Sequence, residues 1–172
     1  MKIIISGAYT IGSYLARLLS RNKQDIVLMD ECSENLEKIS NEADLLTMEG
    51  STTSIKNLKE AGAEDADLFI AVTPDESKNI AACVLAHQLG TKKTVARVDN
   101  PEYVEPSNQE LFHQMGVSSI IYPELLAAKD IINGLKMSWV RQRWDVHDGA
   151  LVMLGIKLRE SCEILDRPLK EI

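Results

Sequence analysis

The chain has 172 residues, of which 45% are hydrophobic and 26% charged, a composition that excludes fibrous and disordered proteins and allows one domain with a small addition. The net charge is −7, and the excess of acidic residues lies in residues 1–138. An acidic domain repels nucleic acid, which is therefore disfavoured as a partner. The longest run without Asp, Glu, Lys or Arg is the 14 residues Ile3–Ala16, shorter than the roughly 20 that span a membrane. We therefore expect a cytoplasmic protein.

Short apolar segments rich in β-branched residues recur along the chain, and their starts are 20 to 26 residues apart. Each interval has room for one helix and two loops, the pattern of repeated β-α-β units around a parallel sheet. Several segments are continuously apolar, as expected of strands covered by helices on both faces. The predicted strands are Lys2–Ser6, Asp25–Asp30, Leu45–Glu49, Leu68–Thr73, Thr94–Val98 and Ser119–Tyr122.

Capping residues and glycines delimit the helices between these strands. Helix starts are predicted at Ser33, Ser54, Asp75, Ser107 and Pro123, and three helix ends at Gly62, Gly90 and Gly116. The last helix is predicted to continue to about residue 138. Its apolar positions cover more than one narrow stripe, which fits burial against a partner subunit as well as burial within its own core.

Residues 139–172 differ in character from the rest of the chain. Asp148-Gly149 reads as a turn, residues 150–158 as a strand, and residues 162–172 as a turn into a helix. Because one strand and a fragment cannot build a core, we expect a nucleotide-binding domain over residues 1–138, followed by the beginning of a second domain that is incomplete here. The alternative is a tail that pairs with another subunit.

The first predicted strand ends in a glycine-containing loop, Gly7-Ala8-Tyr9-Thr10-Ile11-Gly12. This is the dinucleotide-binding fingerprint without its middle glycine, and it leads into a helix whose N-terminus attracts phosphate. Tyr9 stands in place of that glycine, where its Cβ disfavours positive φ and crowds a phosphate. The alternative is a purely structural strand-to-helix turn.

The second strand ends at Asp30, 18 residues after Gly12, where a carboxylate accepts hydrogen bonds from ribose hydroxyls and repels a 2′-phosphate. Glu31 adds negative charge, so the pair favours NAD or an adenine mononucleotide over NADP. The alternative is a solvated loop carboxylate.

Polar residues also end the next three strands. Gly50-Ser51-Thr52 and Thr73-Pro74 could reach a base or ribose, or could simply form turns and helix starts. Arg97 lies in an apolar strand, where its charge needs a partner. That partner is either a bound phosphate or a carboxylate in a structural ion pair. The three cysteines and three histidines have no metal-ligand spacing, so no metal site is predicted.

Three segments together resemble the nucleotide-binding subunit family of bacterial potassium uptake systems, the TrkA or KTN type, which is called RCK in potassium channels. They are Met1–Ala8, the run Glu60-Ala61-Gly62-Ala63-Glu64-Asp65-Ala66-Asp67 with the following strand, and Ala96–Tyr103. The resemblance extends from residue 1 to about 126, and the residues from Asp148 look like the start of the family's C-terminal domain.

The resemblance implies a Rossmann-like fold that binds NAD(H) or an adenine nucleotide (AMP, ADP or ATP), in a regulatory subunit for which we expect no enzymatic activity. It further implies homodimers that pack through the helix at about Pro123–Lys136 and assemble into a ring beneath a membrane potassium transporter or channel, whose ion flow responds to the ligand. The implied ligand-binding residues are Gly7, Ala8, Tyr9, Thr10, Ile11, Gly12, Asp30, Glu31, Gly50, Ser51, Thr52, Thr73, Pro74 and Arg97.

Two positions depart from the family pattern. The middle glycine is Tyr9, and Gly50 is followed by Ser51 where the family often has Asp. The first departure favours a mononucleotide, or a ring subunit that has lost its ligand. An NAD-dependent oxidoreductase is the remaining alternative, and it is disfavoured because no Tyr-x-x-x-Lys pair is present and no histidine lies near a strand end.

Overall fold

The computed structural model describes residues 1–22, 24–136, 140–146, 150–158, 162 and 168. Strands and helices alternate from residue 2 to residue 136, as the spacing of the apolar segments predicted. The strands are β1 (Lys2–Ser6), β2 (Asp25–Asp30), β3 (Leu46–Glu49), β4 (Leu68–Ala71), β5 (Thr94–Arg97), β6 (Ser119–Ile121), β7 (Val140–Val146) and β8 (Leu151–Ile156). The helices are α1 (Thr10–Ser20), α2 (Ser33–Ser40), α3 (Ile55–Glu60), α4 (Glu76–Leu89), α5 (Pro106–Gln114) and α6 (Pro123–Lys136).

The first six strands form one parallel sheet in the order β3-β2-β1-β4-β5-β6. This confirms the predicted Rossmann-like, doubly wound α/β fold. From β1 the chain adds β2 and β3 on one side. It then crosses back over the sheet and adds β4, β5 and β6 on the other side of β1. Loops that leave the carboxyl ends of β1 and β4 diverge, and a crevice forms where they separate.

The apolar residues of the central strands alternate between the two faces of the sheet, and both faces are buried. Ile4 and Phe69 pack into one cluster with Leu58, Cys83 and Phe112, from α3, α4 and α5. The opposite face carries a second cluster, to which α1 and α2 contribute. Its members are Ile3, Ile5, Ala8, Ala16, Ile26, Leu28, Leu36, Ile39, Ile70 and Val72. Burial on both faces explains why these strands read as continuous apolar runs.

The caps of two helices follow the prediction, and that of a third does not. Ser54 and Asp75 accept hydrogen bonds from the third residue of α3 and α4. The prediction that Ser33 caps α2 is wrong, because Ser33 is the first residue of the helix and Cys32 occupies the cap position. The Asp30 carboxylate accepts a hydrogen bond from the Cys32 N–H, and this short-range contact starts the helix one residue early.

The chain divides into two compact units, Met1–Pro123 and Glu124–Ile172. The second contains an antiparallel β7–β8 hairpin, of which only β8 was predicted. Strand β7 was missed because its polar and charged residues do not form the apolar run on which the strand predictions rest. The predicted turn at 148–149 and most of residues 162–172 lie outside the described residues, as do the last predicted positions of α6. The boundary predicted after residue 138 stays a prediction. No described helix is long and apolar enough to cross a membrane.

Candidate nucleotide-binding site

A cavity of about 360 Å³ lies at the crevice between β1 and β4. Its residues come from the loops that follow β1, β2, β3 and β4, so four separate chain segments meet there. The lining residues are Gly7, Tyr9, Asp30, Glu31, Cys32, Thr52, Thr73, Pro74, Asp75 and Lys78. This size lies in the range of small-molecule sites in proteins.

Two glycines allow the loop after β1 to turn tightly under this cavity. Gly7 has a φ of +105°, and a Cβ at this position would lie 2.9 Å from the backbone nitrogen of Thr73. Gly12 lies in α1, where a Cβ would overlap the carbonyl oxygen of Gly7. The two glycines therefore act together, because the first permits the turn and the second lets the helix approach it.

Tyr9 occupies the position of the absent middle glycine without backbone strain. Its φ of −80° and ψ of −171° are extended, so the expected penalty for positive φ at this position is wrong. The side chain of Tyr9 is 47% exposed and lines the cavity. Tyr9 therefore affects a ligand through the space its ring occupies, since the backbone conformation suits any residue.

The N-terminus of α1 is open toward this loop. No side chain caps it, and its first turn contains no acidic residue, whereas Ser54 and Asp75 cap α3 and α4. The first N–H groups of a helix carry partial positive charge and have no partner within the helix. The end of α1 is therefore suited to an anion such as a phosphate.

Asp30 connects the loops that follow β1 and β2, and its carboxylate can still accept hydrogen bonds from a ligand. The residue is 5% exposed. One carboxylate oxygen accepts a hydrogen bond from the Ala8 N–H at 2.6 Å, and the other from the Cys32 N–H at 2.8 Å. A carboxylate has about four acceptor positions, so both oxygens can still accept hydrogen bonds from ribose hydroxyls.

The loop after β3 contributes a buried hydroxyl. Thr52 is 2% exposed, and its Oγ1 has no hydrogen-bond partner among the described residues. Buried hydroxyls are nearly always paired in folded proteins, either within the protein or with ordered water, so the Thr52 hydroxyl has hydrogen-bonding capacity left for a water molecule or a ligand. Gly50 and Ser51 do not line the cavity; the Gly50 N–H donates to the Asp30 carbonyl at 2.9 Å and so fixes this loop against β2.

Asn79, which was not predicted, positions the loop after β4. It is 1% exposed. Its Oδ1 accepts hydrogen bonds from the N–H and hydroxyl of Thr73 at 2.9 and 2.6 Å. Its Nδ2 donates to the carbonyl oxygens of Thr73 and Arg97 at 2.9 and 3.0 Å. The side chain thus ties the ends of β4 and β5 together, and a polar residue on a buried helix face was the only sequence signal for it.

Arg97 pairs within the protein. Its Nη2 donates to Asp99 at 2.7 Å and its Nη1 to the Thr73 carbonyl at 3.3 Å, and it does not line the cavity. These contacts correspond to the ion-pair alternative. Its buried Nε has no partner among the described residues, so one donor of the guanidinium is unused. A role toward a phosphate stays a prediction.

An ion pair crosses the crevice. The Lys78 ammonium, in the first turn of α4, donates to Glu31 at 2.6 Å, and Glu31 follows β2 on the other side of β1. The Lys78 ammonium, and secondarily the Ser51 hydroxyl, hold the pKa of the Glu31 carboxyl below its usual range. Both contacts therefore stabilise the ionised form of Glu31.

Half of the predicted site residues line the cavity, and the others support it or lie nearby. Ala8 supports the site through its N–H, and Gly12 through its close approach to Gly7. Sequence reasoning missed Cys32 and Lys78, which follow predicted strand ends by two and five residues, and it gave Asp75 only as a helix start. Among the described residues, no group of His, Cys, Asp and Glu could hold a metal ion.

Comparison with known proteins gives this fold a family context. A family model of the TrkA-N domain matches residues 3–123. The Trk system potassium uptake protein TrkA homolog of Archaeoglobus fulgidus is 35% identical over 131 residues, which cover 76% of this chain and 29% of that protein. The homolog of Pyrococcus abyssi is 30% identical over 178 residues, which cover 100% of this chain and 76% of that protein. The chain thus spans less than a third of the Archaeoglobus protein.

Solved structures share the fold at lower sequence identity. The GsuK channel bound to NAD has a TM-score of 0.59 and 19% identity, and the match covers 70% of this chain and 21% of that chain. The Kef C-terminal domain of Shewanella denitrificans in its AMP-bound form has a TM-score of 0.60 and 22% identity, and the match covers 80% of this chain and 82% of that chain.

Proposed function

The chain belongs to the TrkA-N domain family, and from this premise we propose that its crevice binds an adenine nucleotide, either NAD(H) or AMP, ADP or ATP. The observation that carries the proposal is the meeting of the buried Asp30 carboxylate and the open end of α1 at one cavity. Ribose hydroxyls and phosphate are the groups these two features bind. Similar domains whose structures contain NAD or AMP support it.

In this proposal each part of the nucleotide has its own contacts. The phosphate lies at the N-terminus of α1, above Gly7. The ribose hydroxyls donate to Asp30. The base lies between the loops that carry Thr52 and Thr73-Pro74, where the unpaired Thr52 hydroxyl gains a partner. NADP is disfavoured, because Asp30 and Glu31 repel its 2′-phosphate.

The wider role that we propose is regulation of a membrane potassium transporter or channel from its cytoplasmic side, without catalysis. The support is the family of potassium uptake proteins to which the relatives belong. Among the described lining residues, no histidine is present to relay a proton. A ligand regulates such a partner only through different affinities for two states of the assembly.

Calorimetric titration with NADH, NAD, AMP, ADP and ATP tests the binding step. We expect at least one of these nucleotides to bind in the micromolar range. If none of the five binds, the crevice is not a nucleotide site, and the alternative of a ligand-free structural subunit is favoured instead.

We also propose that the chain forms a homodimer through α6, as the first step toward a ring. The helix exposes a series of large apolar side chains to solvent, which is costly unless a partner covers them. They are Leu125, Leu126, Ile131, Ile132 and Leu135, with exposures from 38% to 78%.

Light scattering coupled to size-exclusion chromatography tests the dimer. Wild-type protein is expected to elute as a dimer and the double variant Ile131→Glu/Leu135→Glu as a monomer, since two charges cannot be buried in an apolar interface. The control is Asp130→Lys, a charge reversal at an exposed position on the side of the helix away from these apolar residues, and this variant should remain dimeric. A monomeric wild-type protein at 100 μM would contradict the proposal.

A further inference from the structure

The charged side chains of the cavity all have partners within the protein. Asp30 accepts hydrogen bonds from two backbone N–H groups. Asp75 caps α4 through the Lys78 N–H at 3.1 Å. Glu31 and Lys78 pair with each other. Lys78 is the one cationic side chain among the described lining residues, against three carboxylates. The cationic side chain that the described lining offers to an additional phosphate is thus already paired with a carboxylate.

The position of this ion pair matters because it lies beside the predicted ribose carboxylate. Glu31 follows Asp30 directly, and the Lys78 ammonium is 2.6 Å from Glu31. The Lys78 side chain is 27% exposed and that of Glu31 52%, so the Lys78 side chain as a whole is the more buried of the two.

We propose that Glu31 and Lys78 together determine the specificity of the crevice, since Glu31 withholds from a 2′-phosphate the one cation able to bind it. This inference rests on the proposed function, because it assumes that the ribose of an adenine nucleotide lies at Asp30. Sites that accept a 2′-phosphate supply a cation near the ribose. Here the cation is present and Glu31 occupies it, so removing the Glu31 charge should unmask a 2′-phosphate site.

Arg97 is a poor candidate for the same role. Its guanidinium pairs with Asp99 at 2.7 Å and with the carbonyl of Thr73, and it lies at the end of β5, outside the cavity lining. The Lys78 ammonium and the Arg97 guanidinium therefore lie at different places in the structure. Only Lys78 is held at the β2 side of the crevice, where Asp30 lies.

The test compares ligands that differ only in the 2′-phosphate: NADH with NADPH, and AMP with adenosine 2′,5′-bisphosphate. Calorimetry gives the ratio of the two Kd values in each pair for wild type, Glu31→Gln, Lys78→Met and Glu31→Gln/Lys78→Met. We expect Glu31→Gln to shift the ratio about 10-fold toward the phosphorylated ligand, as a freed charge-assisted contact would. The double variant should lose that gain. Glu34→Gln, an exposed carboxylate in α2 outside the cavity lining, is the matched control and should leave the ratio unchanged.

The remaining outcomes overturn the proposal in distinguishable ways. A gain that persists in the double variant shows that Glu31 acts by repulsion alone and that Lys78 is not the cation. An unchanged ratio in Glu31→Gln shows that the pair does not affect the ribose. A wild-type protein that binds none of these four ligands and none of NAD, ADP and ATP contradicts the proposed function itself, and the specificity inference falls with it.

Discussion

The Asp30→Asn variant is expected to bind its nucleotide roughly 30-fold more weakly than wild type, a loss of about 2 kcal/mol, because charge-assisted hydrogen bonds contribute on this scale. The amide keeps the size of the side chain but replaces one acceptor oxygen with a donor. In the free protein that donor would face an N–H group, of either Ala8 or Cys32. Calorimetry with the nucleotide that binds wild type most tightly measures the loss.

Asp25→Asn is the matched control for this variant. Asp25 is exposed and is the first residue of β2, whereas Asp30 is the last. The identical chemical change is therefore made at the opposite end of the same strand. Its Kd should equal that of wild type. A folded Asp30→Asn protein, verified by thermal melting, with an unchanged Kd would show that the carboxylate does not contact the ligand.

The Gly12→Ala variant is expected to lose about 3 kcal/mol of unfolding free energy, in the range for overpacked sites, and roughly 10 °C in Tm for a chain of this size. Alanine normally stabilises a helix relative to glycine. At this position its Cβ overlaps the carbonyl oxygen of Gly7 and lies 3.2 Å from Cγ2 of Val72, so α1 must move away from β1. Urea denaturation measures the change.

The same substitution at Gly134 is expected to have the opposite effect on stability. Gly134 lies in α6 with nothing within 4 Å of the position a Cβ would take, so the same substitution should stabilise the protein by about 0.5 to 1 kcal/mol. If Gly12→Ala were as stable as wild type, the helix could not lie as close to the glycine loop as the structure places it.

The strands and the crevice were predictable because their signals are local. Ile3-Ile4-Ile5 is continuously apolar and β-branched, which is typical of a strand buried on both faces. The spacing from Gly12 to Asp30 is likewise a property of one β-α-β unit, so the sequence alone identifies Asp30 as a carboxylate at the end of a strand. Strand β7 was missed for the converse reason, since a polar strand carries no such pattern.

The partners of the site residues were not predictable. Lys78 and Glu31 are 47 residues apart, and Asn79 contacts a carbonyl 18 residues away. Nothing in the residue types of such pairs identifies them before the sheet order is known. The same holds for Arg97, whose sequence environment is compatible with both a bound phosphate and the Asp99 carboxylate.

The sequence by itself determined the doubly wound fold, the family, the glycine loop and the position of Asp30, because repeated apolar segments and strand-end residues act over a few residues along the chain. The tertiary structure decided that Tyr9 is unstrained, that Arg97 pairs with Asp99, and that Lys78 reaches across β1 to Glu31. These outcomes depend on distances between chain segments that only the packed sheet brings together.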